Sequence, residues 1–335
     1  MCADGVLRLW ENNAAQHYES GWAAMEKKDY TTAVNEFQQV IDQNSRLAES
    51  YRAEGIAYYS EKAYPEAIAA FSRSLNNMDD PDKEFKKDVQ FYLAQARMDY
   101  GEVDKAIEVY SEILKAGEDE QAFFLRGKAY ISMEDYKNAE KDFQRALEGC
   151  EDYNLYINIY QIYVDHNKAV DGDAYLKMAL ELEPQDGEDC YHRGRIYEYE
   201  KNYEAARDEL KTAMEQGYED AMLLLGRVYL EMEDPASARS MYQEYLQKSE
   251  QGAKAYNGLA MCDIYDGAYD SALENIAQGL KENSKEDEQG LLYNEIVAYE
   301  YKRDFATAKE KMKIYLEQYP EDEAALRENE FLSTR

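Results

Sequence analysis

Small and aromatic side chains recur along the chain at an interval near 34 residues. Ala33, Ala67, Ala106, Ala139, Ala206, Ala238, Ala272 and Ala308 form one series. Its members stand 32 to 39 residues apart, except that the 67 residues from Ala139 to Ala206 hold two periods, one of them degenerate. Twelve residues before these alanines stand Gly21, Gly55, Ala94, Gly127, Gly194, Gly226, Ala260 and Ile296. Four residues after them come Phe37, Phe71, Tyr110, Phe143, Leu210, Tyr242, Ile276 and Met312. Apolar positions three and four apart within each copy predict helices. Polar turns separate them, as in Lys28-Asp29-Tyr30, Glu134-Asp135-Tyr136, Lys201-Asn202-Tyr203 and Arg303-Asp304-Phe305. Asp and Asn suit such turns because their side chains bond nearby backbone amides. Each period therefore reads as two antiparallel helices, and the repetition predicts a helical solenoid.

The small residues belong where the two helices of a hairpin cross most closely; a bulkier side chain there overpacks the contact by about 1–3 kcal/mol. Tyrosine and phenylalanine fill the layer between hairpins, since one hairpin cannot bury its apolar face alone. Two copies depart from the pattern. The third carries an insertion around Met78-Asp79-Asp80-Pro81-Asp82. The fifth has Gly172 in place of the signature alanine, which predicts a longer turn, from His166 to Asp173, and looser packing.

The combined pattern, with Pro184 and Pro320 closing two copies, resembles the tetratricopeptide repeat family. The resemblance implies an all-α fold: a right-handed α-solenoid of about nine hairpins over 14–320. Its approximate repeats are 14–47, 48–81, 87–119, 120–152, 153–186, 187–218, 219–252, 253–286 and 289–320. A segment at 1–13 precedes them, and a capping helix and tail at 321–335 cover the last open face.

Composition narrows the chemistry. The chain has 38 basic and 70 acidic residues and a net charge of −32. That argues against nucleic acid and against adsorption to anionic membranes, while a cationic partner would be steered in. Cys2, Cys150, Cys190 and Cys262 lack metal-ligand or redox spacing, and His17, His166 and His192 fall in different repeats. No catalytic residue, metal site or cofactor is expected. No apolar run is long enough to span a membrane. Met1-Cys2-Ala3-Asp4 resembles the mature start of a bacterial lipoprotein, in which Cys2 carries the lipid anchor. That reading favours an extracytoplasmic, membrane-anchored protein; an unmodified Cys2 in a cytoplasmic protein is the alternative.

The family resemblance also implies that the first helix of each hairpin lines an inner groove. Mapped onto this sequence, the candidate ligand-binding residues are Tyr18, Trp22, Tyr59, Phe91, Phe124, Lys128, Tyr191, Arg195, Arg227, Tyr293 and Tyr301. Aromatic residues are frequent binding anchors. Family members that capture the acidic C-terminal tails of chaperones place lysine and asparagine one turn apart on that helix. The equivalent pairs here, Tyr18/Trp22, Arg52/Ile56, Phe91/Gln95, Phe124/Lys128 and Asn257/Met261, do not match. The expected role is a non-catalytic scaffold that binds a protein or peptide. The alternative is an anchored lipoprotein that binds carbohydrate or cell-envelope components.

Overall fold

A computed structural model describes residues 2–78, 82–249 and 251–335, with side chains from residue 13 onward. The side chain of Cys2 and positions 79–81 of the insertion lie outside the described residues. Among the described residues the chain forms nineteen α-helices and no strand, an all-α helical repeat.

The helices pair in order. The first hairpins are α1 (Cys2–Glu26) with α2 (Tyr30–Asp42), α3 (Leu47–Ser60) with α4 (Tyr64–Asn76), and α5 (Lys83–Tyr100) with α6 (Val103–Ala116). Next come α7 (Glu120–Ser132) with α8 (Tyr136–Ala146), α9 (Tyr153–Asp165) with α10 (Ala169–Leu180), and α11 (Gly187–Tyr199) with α12 (Tyr203–Glu215). Then follow α13 (Ala221–Glu231) with α14 (Pro235–Lys248), α15 (Ala253–Tyr265) with α16 (Tyr269–Lys281), and α17 (Lys285–Tyr301) with α18 (Phe305–Gln318). A single helix, α19 (Glu323–Ser333), ends the series. Two compact units divide the chain, Met1–Ala174 and Tyr175–Arg335.

One register governs all nine hairpins. Each of the eight signature alanines is the fourth residue of its second helix and is fully buried. Five residues before each stands a residue with left-handed backbone: Lys28, Lys62, Gly101, Glu134, Lys201, Glu233, Gly267 and Arg303. In the first hairpin the Lys28 amide donates to the Met25 carbonyl at 2.9 Å and the Asp29 amide to the Ala24 carbonyl at 3.0 Å. These two bonds are the Schellman closure of a helix C-terminus. Asp29 then caps α2 by accepting from the Thr32 amide; Asp135, Asn202, Asp234 and Asp304 do the same for their second helices. One tripeptide thus ends one helix and starts the next.

The glycines of the first helices make room for a side chain sixteen residues on. A Cβ at Gly21 would lie 2.5 Å from the Phe37 ring, at Gly55 2.6 Å from Phe71, and at Gly127 2.7 Å from Phe143. Gly194 stands in the same way against Leu210, and Gly226 against Tyr242. Phe37 packs with Ala53 and Ala57 of the next hairpin as well, so one ring ties two repeats together. Each such ring is worth roughly 2–3 kcal/mol of burial.

The fifth hairpin differs from its sequence expectation. Its turn is short, for α9 ends at Asp165 and α10 begins at Ala169. Asn167 takes the left-handed position and Gly172 is the fourth residue of α10, as in every other copy. The crossing is filled in another way. Tyr160 occupies the small-residue position of α9, and Gly172 yields to it, with Tyr160 Cδ2 3.1 Å from where a Cβ would stand. Tyr153, Tyr156, Tyr160 and Tyr163 are all buried, so this copy is well packed.

At the end of the second unit, α19 buries Ala325 and Leu332 against Met312 and Tyr315. Asp322 caps α19 and also accepts a 2.6 Å hydrogen bond from the Tyr315 hydroxyl.

Candidate functional site

The mapped groove residues take different places in the two units. In the first, Tyr18 and Trp22 sit edge-on to Phe37, with ring centroids 5.8 and 5.6 Å away. Phe91 leans on Tyr110 and Phe124 on Phe143. Tyr59 packs on Tyr64 and donates its hydroxyl to Asp99. Burial, that hydrogen bond and the Asp99 charge push the Tyr59 phenol well above its ordinary value. Lys128 is exposed. These aromatics flank the core of their own hairpins.

In the second unit α13, α15 and α17 lie side by side. Between them opens a cleft of about 780 Å³, within the size range of ligand sites. Tyr191 and Arg227, from the mapped set, line it together with Tyr242, Lys254, Asn257 and Met261. Arg195 lies over the Tyr191 ring, 5.9 Å from its centroid, and Tyr218 packs on the same ring at 5.0 Å. Tyr293 turns instead toward Tyr315. Tyr301 is 59% exposed and stacks on Tyr269 at 5.9 Å.

Glycine shapes the cleft. Gly226 is the usual crossing glycine of α13, but Gly258 on α15 is an addition. Cβ atoms at these two positions would lie 2.5 and 2.3 Å from the Tyr242 ring, so the ring is held between two bare backbones. The equivalent positions hold Phe37, Phe71 and Phe143 and a second tyrosine, Tyr110; of these residues Tyr242 lines the cleft. Tyr242 is only 4% exposed, and its hydroxyl makes no hydrogen bond among the described residues. Burial drives its phenol far above the ordinary value.

The charges around it are partly committed. Burial works against the Arg227 charge, but the Glu198 carboxylate outweighs it through a two-pronged pair at 2.5 and 2.6 Å. Lys254 reaches Glu286 at 3.3 Å and Asp287 at 4.0 Å, and its ammonium is likewise held above its ordinary value against burial. Among the described residues the Asp220 carboxylate accepts from the Tyr245 hydroxyl alone, at 3.4 Å, and does not cap α13. Glu282 makes no ion pair among the described residues.

Next to the cleft lies an apolar hollow of about 440 Å³ lined by Met261, Ile264, Tyr265, Tyr269, Asn294, Val297 and Tyr301. Met261 borders both spaces. Sequence reasoning missed Tyr242, Asp220, Lys254 and Glu282. The available signal was Gly258, a second glycine where other first helices carry side chains such as Leu125, His192 or Leu224.

Other reactive groups are enclosed. Burial raises the Cys262 thiol to about 11 and also raises Cys190. No group of three His, Cys, Asp or Glu side chains among the described residues could hold a metal, and no described helix is long and apolar enough to cross a membrane.

Comparison with known proteins agrees with this architecture. Two family models described as tetratricopeptide repeat match the chain, one at residues 18–82, 191–253 and 223–288 and the other at 120–152. No curated protein matches it. Among solved structures, yeast Tom70 is 14% identical with a TM-score of 0.50, covering 92% of this chain and 85% of its own. A tetratricopeptide repeat protein from Parabacteroides merdae is 16% identical with a TM-score of 0.46, covering 85% and 99%. YrrB, a repeat protein described as having an unusual peptide-binding site, is 26% identical with a TM-score of 0.37, covering 56% and 97%. The family-model matches, with the register and the crossings, place the chain in the tetratricopeptide repeat family.

Proposed function

We propose that the protein is a non-catalytic interaction scaffold and that its second unit holds a peptide segment of a partner protein in the cleft between α13, α15 and α17. The observation that carries this reading is the cleft itself, about 780 Å³ in volume, with Tyr242 and polar side chains of neighbouring helices along its lining. The Tyr242 hydroxyl makes no hydrogen bond among the described residues, so it is available to a ligand group entering the cleft. Family membership supports the same role, since these repeats generally act as scaffolds. Around the hydroxyl, Arg227, Tyr191 and Asn257 offer fixed polar groups to a peptide backbone.

Selection of a random-peptide phage library on the full chain tests this. Enriched peptides should bind about tenfold more weakly to Tyr242→Phe, the loss of one buried hydrogen bond, while the variant melts no earlier than the parent. Enriched peptides that bind Tyr242→Phe and Arg227→Ala as tightly as the parent would overturn the proposal.

A further inference from the structure

The cleft and its neighbouring hollow differ in chemistry along the same helices. Four carboxylates line the cleft, Asp220, Glu282, Glu286 and Asp287, against two cations, Arg227 and Lys254. Both cations are already paired, Arg227 with Glu198 and Lys254 with Glu286. The uncommitted charges are therefore Asp220 and Glu282, both negative. Asp220 stands at the N-cap of α13, the end of the dipole that suits a carboxylate, though it makes no capping hydrogen bond. Helix stability does not account for Glu282. Glu282 sits at the C-cap of α16, the end of a helix dipole where a carboxylate is unfavourable.

The hollow beyond Met261 is aromatic and open. Tyr265 and Tyr301 are 55% and 59% exposed, Met261 is 40% exposed, and Tyr269 stacks beneath Tyr301. Large apolar side chains exposed together mark an interaction surface more than scattered ones do. Along α17 the acidic start at Glu286 and the aromatic end at Tyr301 are fifteen residues apart, about 22 Å at the helical rise. An extended peptide crosses that distance in roughly six or seven residues.

Resting on the peptide-binding reading, we infer that the ligand is a segment carrying a lysine or arginine and, about six residues away, an aromatic or large aliphatic side chain. The basic head group meets Asp220 and Glu282, with the Lys254-paired Glu286 beside them on the rim. The apolar side chain lies on the shelf of Tyr265, Tyr269 and Tyr301. The chain's net charge of −32 steers such a segment toward the site.

The test repeats the phage selection on the full chain, on the double charge reversal Glu282→Lys/Glu286→Lys and on Tyr265→Ala/Tyr301→Ala. All four positions are exposed, so folding is preserved. The parent should enrich peptides with the stated basic and apolar pair. Charge reversal should weaken their binding about tenfold or more and shift enrichment toward acidic peptides. The tyrosine double variant should keep the basic preference and lose the apolar one. Enriched peptides without a basic residue, insensitive to charge reversal but weakened by Tyr242→Phe, overturn this inference and leave the peptide-binding reading standing. No enrichment above an empty surface overturns both.

Discussion

The first helices of the two units carry aromatic residues at matching repeat positions, yet those residues do different things. In the first unit Trp22 and Phe124 rest, half-buried, on Phe37 and Phe143. In the second, Tyr191 fronts a cleft and Tyr301 stands open at an aromatic rim. The difference comes from what lies beneath. A phenylalanine over a single glycine fills the crossing, whereas Tyr242 between Gly226 and Gly258 lies low, with no Cβ above it from either helix. At Tyr242 the second glycine is what leaves the ring low enough to line a cleft.

Truncation of the two aromatic sets tests that contrast most strongly. Trp22→Ala should lower stability by about 2 kcal/mol, because its half-buried ring supports Phe37. Tyr301→Ala should change it by less than about 0.5 kcal/mol, as an exposed side chain does. Chemical denaturation followed by circular dichroism reads both; equal effects would break the comparison. Gly258→Ala comes next. Its added methyl meets the Tyr242 ring at 2.3 Å and should cost about 1–3 kcal/mol while lifting the cleft floor. An unchanged midpoint would mean that the ring is free to move aside.

Much of the fold was legible because repetition multiplies a weak signal. One alanine says nothing, but eight alanines, each fully buried as the fourth residue of its second helix, set the register. The fifth copy misled for a physical reason. A rule about residue type expects alanine there, whereas Gly172 leaves bare backbone against Tyr160 and Tyr163, and the larger ring at the small-residue position of α9 uses that space. The site was less legible. Periodicity assigns residues to a face, and Tyr18 and Tyr191 share that face. Which of them is covered depends on side chains from helices sixteen and more residues away, and no local pattern carries that.

A smaller effect separates the units by pH. Burial, repulsion from Glu328 and a hydrogen bond to it raise the Glu300 carboxyl of α17 from 4.5 to about 7. Tyr293, Asp322 and Arg327 surround the same cluster. Below pH 4.5 Glu300 is protonated in folded and unfolded chains alike. Between 4.5 and 7 the unfolded chain releases the proton that the folded chain retains, so stability falls as pH rises. Glu300→Gln should then stabilise the second unit by about 1 kcal/mol at pH 8, allowing for solvent screening, and leave it unchanged near pH 4. Hydrogen exchange should place the gain in α17–α19 and none in α1–α8; a gain that does not vary with pH would rule out Glu300 as the source.

The smallest effect asks whether the units share one scaffold beneath their different faces. Glu134 and Glu233 hold the same left-handed turn position, at φ 59° and 60°, in the first and second unit. A side chain in that conformation is strained, whereas glycine adopts it freely, as Gly101 and Gly267 do in two other hairpins. Glu134→Gly and Glu233→Gly should each raise stability by up to about 1 kcal/mol, less the extra chain entropy of glycine in the unfolded state. Differential scanning calorimetry of the two variants should show gains of the same sign and size. A gain at Glu134 with a loss at Glu233 would mean that the hairpin turns of the cleft-bearing unit obey a different geometry, and that its face and its scaffold diverged together.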